Sequence, residues 1–255
     1  MGLDRSRYVL EFEDGFDHLE LDRTKWIPHY LPHWSGREAS RASYRIADGV
    51  LNLAIEEDQP PWAPDLDGNL RVSNLQTGVF SGPVGSPIGQ HQFRPGLTVR
   101  EEQPEQRRYT PHFGLIEARV SAIDDPNCMV ALWMIGFEDR PERSGELCLF
   151  EIFGSELTRN AGIVGMGVHP FADPELKDDF RKVRIEKDLR DFHTYSLEWM
   201  PDGVIFFIDD EHVASVDQSP DYPMQLMLNV YEFQPGGAYP KEFAVDWVRG
   251  YRPLP

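Results

Sequence analysis

The sequence predicts an all-β protein built as two stacked antiparallel sheets, and three observations lead there. The 21 Gly and 21 Pro among 255 residues imply many turns rather than long helices. Short strand-like runs separated by turn signals recur along the whole length, the pattern of a sandwich. A composition that is 40% hydrophobic and 12% aromatic can fill a sizeable core. Nothing resembles a linker, an internal repeat or a heptad array, so residues 1–255 are expected to form one domain.

Taken in order, the expected strands cover residues 8–12, 49–55 and 75–80. Residues 83–108, rich in Gly, Pro, Gln and Arg, follow as a long loop of the kind that is usually functional or mobile. Strands over 114–121, 129–135 and 146–153 come next, the last two as an antiparallel hairpin, and then one over 163–168. Residues 174–183 carry the one hint of helix. The remaining strands are expected over 193–199, 204–208, 225–231 and 243–251.

A formal charge of −18 argues against nucleic acid or an anionic membrane as partner, since both are bound through clustered Lys and Arg. A neutral or cationic ligand fits better. No apolar run reaches membrane-spanning length, and residues 1–7 lack the apolar core of a signal peptide, so a place inside the cell is expected unless a leader precedes this sequence. With two cysteines there is no disulfide framework, and Cys128 and Cys148 are expected as free thiols in a monomer.

The most informative segment is Gly145-Glu146-Leu147-Cys148-Leu149-Phe150-Glu151-Ile152-Phe153, which places two carboxylates inside an apolar run. Burying an unpaired charge is costly. Side chains on a strand alternate, so Glu146 and Cys148 share a face. Strict alternation sends Glu151 to the other face, but one extra residue, a β-bulge near Leu149 or Phe150, returns it to the first. The plainer alternative is a half-exposed strand whose polar residues face water.

Several motifs, in this order, resemble glycoside hydrolase family 16, the laminarinase and lichenase group of β-glucanases. Phe12-Glu13-Asp14-Gly15-Phe16-Asp17 and Leu21-Asp22-Arg23-Thr24-Lys25-Trp26 resemble the family's opening strand and turn. Gly114-Leu115-Ile116-Glu117-Ala118-Arg119 and Ala131-Leu132-Trp133-Met134 resemble two central strands. His193-Thr194-Tyr195-Ser196-Leu197-Glu198-Trp199-Met200-Pro201, Leu226-Met227-Leu228-Asn229 and Val245-Asp246-Trp247 resemble later ones. The resemblance implies a β-jelly-roll sandwich with a concave sugar-binding cleft.

Glu146-Leu147-Cys148-Leu149-Phe150-Glu151 has the spacing of the family's bulged branch, Glu-x-Asp-x-x-Glu, with Cys in place of Asp. The resemblance implies Glu146 as nucleophile and Glu151 as acid/base of a retaining glycosidase, a chemistry that needs two carboxyls about 5 to 5.5 Å apart. The charge of Glu146 should help keep Glu151 protonated. Cys148 departs from the family. Two nearby carboxylates should push its thiol above the usual value of about 8.5, which favours a neutral space-filler over a nucleophile.

For sugar contacts, Trp133 is expected to face the cleft beside Glu146, although Trp packs equally well in a core. By resemblance His169 hydrogen-bonds the substrate or orients Glu151. Asn229 and Tyr231 alternate onto one face and could reach hydroxyls, and Gln76 is placed like a polar residue of an early cleft strand. In the aromatic cluster of Trp26, Tyr30, His33 and Trp34, Trp34 is the expected platform and Trp26 a core plug. His29 and His33 have no third ligand at a recognisable metal spacing. No cofactor is required, but the resemblance implies a structural calcium at Glu13 and Asp246. The expected function is endo-hydrolysis of a β-linked polysaccharide, foremost β-1,3- or mixed-linked glucan. A carbohydrate-binding relative with weak or lost turnover, and a transglycosylase, stand as alternatives.

Overall fold

The computed structural model describes residues 2–255. In chain order the strands are β1 (Tyr8–Asp14), β2 (Ser43–Ala47), β3 (Val50–Ile55), β4 (Arg71–Gln76), β5 (Gly78–Val79), β6 (Gln106–Arg107), β7 (Gly114–Ser121), β8 (Cys128–Gly136), β9 (Glu146–Phe153), β10 (Gly162–His169), β11 (Asp179–Ile185), β12 (His193–Met200), β13 (Gly203–Ile208), β14 (Glu211–Val216), β15 (Met224–Glu232) and β16 (Lys241–Pro253). An eight-stranded antiparallel sheet has the order β14-β13-β12-β7-β16-β3-β2, with β1 also on β16. β16 is 13 residues long and serves β3 with its first half and β1 with its second. A six-stranded sheet, β11-β10-β9-β8-β15-β4, completes the jelly-roll sandwich.

The two-residue alternation of strands sorts the six-stranded sheet into two apolar populations. Leu132, Met134, Leu147, Val164, Leu226 and Leu228 face the other sheet and pack with residues such as Leu53, Ile116, Leu197 and Phe206. Truncating one of these leucines to Ala would cost about 2–5 kcal/mol. Met129, Ala131, Trp133, Cys148, Met227 and Tyr231 form a second cluster with Tyr30, Trp34 and Trp62. That outer cluster is partly roofed by loops, and what remains open is the cleft.

Segment 174–183 is not helical. Asp179–Ile185 is β11, paired with β10 from Gly162↔Ile185 to Val168↔Asp179. β2 and β14 are also strands beyond those expected, and all three end their sheets. Edge strands show charge to water to discourage pairing, which weakens their apolar signature. Arg181, Lys182 and Arg184 are exposed on β11 for this reason.

On the eight-stranded sheet, the N-terminal 3₁₀ turn Arg5–Arg7 lies against two buried carboxylates. Arg5 donates to Glu117 (2.7 and 3.1 Å), which also accepts from the Ser196 hydroxyl at 2.8 Å. Arg7 and the Tyr8 hydroxyl (2.6 Å) both bond Glu198.

Candidate active site

The bulge anticipated near Leu149 is present. β9 pairs with β8 as Leu132↔Phe150 and then Trp133↔Cys148, and with β10 as Gly165↔Glu151 and then Gly167↔Cys148. Leu149 has no partner in either ladder, and Leu149 and Phe150 both enter the inner core. The extra residue resets the alternation. Glu146, Cys148 and Glu151 consequently line one cleft of about 620 Å³.

No hydrogen bond from a described residue stabilises either carboxylate. Burial, and after it the charge of Glu151, pushes Glu146 up to about 8. Burial also raises Glu151, but His169 and Lys182 oppose that rise. Burial rather than the charge of Glu146 is thus what raises Glu151. Burial and the two carboxylates push the Cys148 thiol well up, so it is neutral as expected, with Sγ 4.0 Å from the Gly165 carbonyl.

Around this pair, Trp133 lines the cleft yet is only 5% exposed, so it is both wall and core. Its ring meets that of His91 edge-on at 5.0 Å. His169 also lines the cleft, stacked on Phe180 at 4.7 Å with Nδ1 2.6 Å from Asp178. In register it faces Glu146 rather than Glu151, and its partner is Asp178. Tyr231 lines the cleft floor and donates its hydroxyl to that of Tyr30 at 3.2 Å.

Three expected contacts lie elsewhere. Asn229 is fully buried beneath the floor, where its amide donates to the Tyr231 hydroxyl (2.9 Å) and Asn74 (3.2 Å), so it positions Tyr231. Gln76 is fully buried and holds backbone, donating to the Gly78 carbonyl at 3.0 Å. Trp34 is fully buried with Nε1 on the Gln90 carbonyl at 2.9 Å, and its neighbour Tyr30 reaches the cleft instead. Trp26 plugs the core as expected, with Nε1 on Asp14 at 2.8 Å.

The calcium residues do not converge. Glu13 accepts from Arg249 at 2.7 Å and Asp246 pairs with Arg119, so each carboxylate already carries a cation. Among the described residues, no three His, Cys, Asp or Glu side chains are grouped to hold a metal. This donor set does not fit calcium.

His91, Phe171 and Phe233, which sequence reasoning missed, all line the cleft from loops. Loop aromatics have no periodicity; the one available signal was the composition of the 83–108 loop. That loop is seated by Gln90, whose amide donates to the Phe137 carbonyl (2.9 Å) and to Gln225 (2.7 Å). Next to it, Gly89 approaches so closely that a Cβ would lie 2.5 Å from the His33 ring and 2.7 Å from that of Trp34.

The model of the family "Glycosyl hydrolases family 16" matches residues 105–249. A beta-glucanase of Rhodothermus marinus is 26% identical over 97% of this chain and 94% of its own length. The structure of a GlcNAcα1-4Gal releasing endo-β-galactosidase from Clostridium perfringens superposes with a TM-score of 0.87 at 30% identity, over 98% of this chain and 64% of that longer one. A laminarinase from Flavobacterium sp. UMI-01 shares the fold, with a TM-score of 0.67 at 18% identity over 96% of this chain and all of its own.

Proposed function

The chain belongs to glycosyl hydrolase family 16 and is a β-glycan hydrolase, and from that premise we propose that it cleaves within its substrate with retention of configuration. Glu146 is the nucleophile and Glu151 the acid/base. The observation that carries this assignment is the bulge at Leu149, which turns two otherwise opposed carboxyls into one cleft. Glu146 would attack the anomeric carbon while Glu151 protonates the departing oxygen. A water activated by Glu151 would then release the sugar from Glu146.

The proton balance gives this pair a particular character. Two interacting carboxyls titrate as a unit, and burial raises both. The productive form has Glu146 ionised and Glu151 protonated, and its population sets the height of a bell-shaped pH profile. The neutral thiol of Cys148 is a weak donor and does little to shift the balance.

The substrate we favour is a β-1,3- or mixed-linked glucan, in line with the beta-glucanase relative. A β-galactoside is the second reading, supported by the TM-score of 0.87 to the endo-β-galactosidase against 0.67 to the laminarinase. The test is turnover of laminarin, lichenan, agarose, carrageenan and galactan, read by reducing ends, with proton NMR of the first product. A β anomer supports retention and an α anomer overturns it. Binding without new reducing ends on any glycan would favour a binding protein, and acceptor-dependent products a transglycosylase.

A further inference from the structure

Beside the cleft lies a second cavity of about 730 Å³, lined among others by Phe80, Ile88, Phe93, Glu138 and Ser144. It shares two walls with the cleft, His91 and Phe171, whose rings meet at 4.9 Å. A glycan seated over Glu146 therefore has a neighbouring space into which a further sugar fits, within the range of about 300–1,000 Å³ for small-molecule sites. We propose that this cavity binds an N-acetylated hexosamine, a conclusion that rests on the glycan-cleaving role of the cleft and on its β-galactoside rather than its glucan reading.

The backbone around the cavity is held in an unfavourable shape. His91 (φ 52°), Glu138 (φ 57°) and Phe171 (φ 46°) all adopt the left-handed region without being glycine. Each such residue is strained, and conformations of this kind gather at ligand sites. Two of the three are tied together, because the His91 backbone N–H donates to Glu138 Oε1 at 2.5 Å.

The chemistry of the lining selects the ligand. Glu138 Oε2 has no partner among the described residues, and burial pushes the carboxyl up to about 8, so near neutral pH it carries a proton to donate. Burial pushes His91 down to about 4, which leaves its imidazole uncharged. At the rim Arg94 donates to the Leu66 carbonyl at 2.6 Å and keeps its charge, and Asp139 pairs with Arg143 at 3.1 Å. One arginine set among Glu138 and Asp139 in the lining, together with a net charge of −18, disfavours sulfated or carboxylated sugars. An acetamido group suits what remains. Its methyl rests on Ile88, Phe93 or Phe171, and its carbonyl accepts from the Glu138 acid, where an unsubstituted hexose would leave the apolar walls unused.

The test is saturation-transfer NMR of the protein with methyl β-N-acetylglucosaminide, methyl β-galactoside and methyl β-glucoside. The acetyl methyl protons should receive the strongest saturation. Ile88→Trp, which fills the cavity from an exposed rim position, and Glu138→Ala should each weaken that binding about tenfold, while Glu138→Gln, still a donor, should retain it. Equal saturation of all three glycosides, or an acetyl signal that survives Ile88→Trp, overturns the proposal. Because binding is read without turnover, acetyl selectivity in a protein that cleaves no glycan would defeat the hydrolytic assignment alone. Turnover without acetyl selectivity would defeat the cavity's role alone.

Discussion

Two pairs of glutamates, one on each sheet, are treated in opposite ways. Glu117 and Glu198 on the eight-stranded sheet are buried, and each receives an arginine and a hydroxyl: Arg5 and Ser196 for one, Arg7 and Tyr8 for the other. Glu146 and Glu151 on the six-stranded sheet receive neither. A buried carboxylate with donors is structural, because its desolvation is offset where it stands. Carboxyls left without donors in a cleft hold protons more tightly, and that is the property acid/base chemistry uses. On the proposed assignment, the difference separates glutamates that hold the fold from those that work.

Replacing Glu146 with Gln should sharpen that separation most. Turnover should fall roughly 10⁴-fold or more, the scale seen when a hydrolase loses its nucleophile, with the circular dichroism unchanged. Stability should move the other way. A carboxyl raised to about 8 binds a proton in the folded state that the unfolded chain has released above about 4.3, so the natural protein loses stability as pH rises through that window. The variant lacks this loss and should melt higher above pH 8 but not at pH 4, by roughly 2–4 °C for each kcal/mol relieved. Equal melting points at both pH values would break the comparison.

Glu117→Gln should behave inversely. It removes a charge that Arg5 and Ser196 were arranged to meet, and should cost about 1–3 kcal/mol in a denaturant melt. Arg5 is 37% exposed, and solvent screening favours the lower end. The kcat/KM of the folded fraction should stay unchanged; a fall would mean that the two sheets do not divide the labour.

The smallest effect is expected from Cys148→Asp. Between two carboxyls a new Asp should itself be protonated, and its O–H can donate to Glu146, lowering that group's proton affinity. The acidic limb of the kcat/KM profile should move below its natural position, with a gain of up to about tenfold at pH 7. An unchanged profile in a folded variant would mean that position 148 is not coupled to the pair.

Much of this was legible because it rests on alternation. Glu146, Cys148 and Glu151 declared themselves by polarity inside an apolar run, and the bulge followed from counting faces. Trp34, Gln76 and Asn229 lie in the right region of the chain but one layer too deep, since a linear sequence does not tell a cleft wall from the packing behind it. β11 was hidden because an edge strand with Arg181, Lys182 and Arg184 shares its charge density with a solvated helix. His91 and Glu138 sit in loops, where position depends on the backbone path rather than on any repeat. Their left-handed φ angles are invisible without coordinates.

The unpaired Leu149 has a further consequence, for how such a site can vary. Removing it would leave Glu146, Cys148 and the second Glu at every other position of a flat strand, still on one side. What the chemistry requires is thus parity rather than distance in sequence: an even step without a bulge and an odd step with one are equivalent solutions. The bulge works as a parity correction, and the cleft can tolerate a change of length in its catalytic strand that the inner core, which takes up Leu149 and Phe150 together, must absorb.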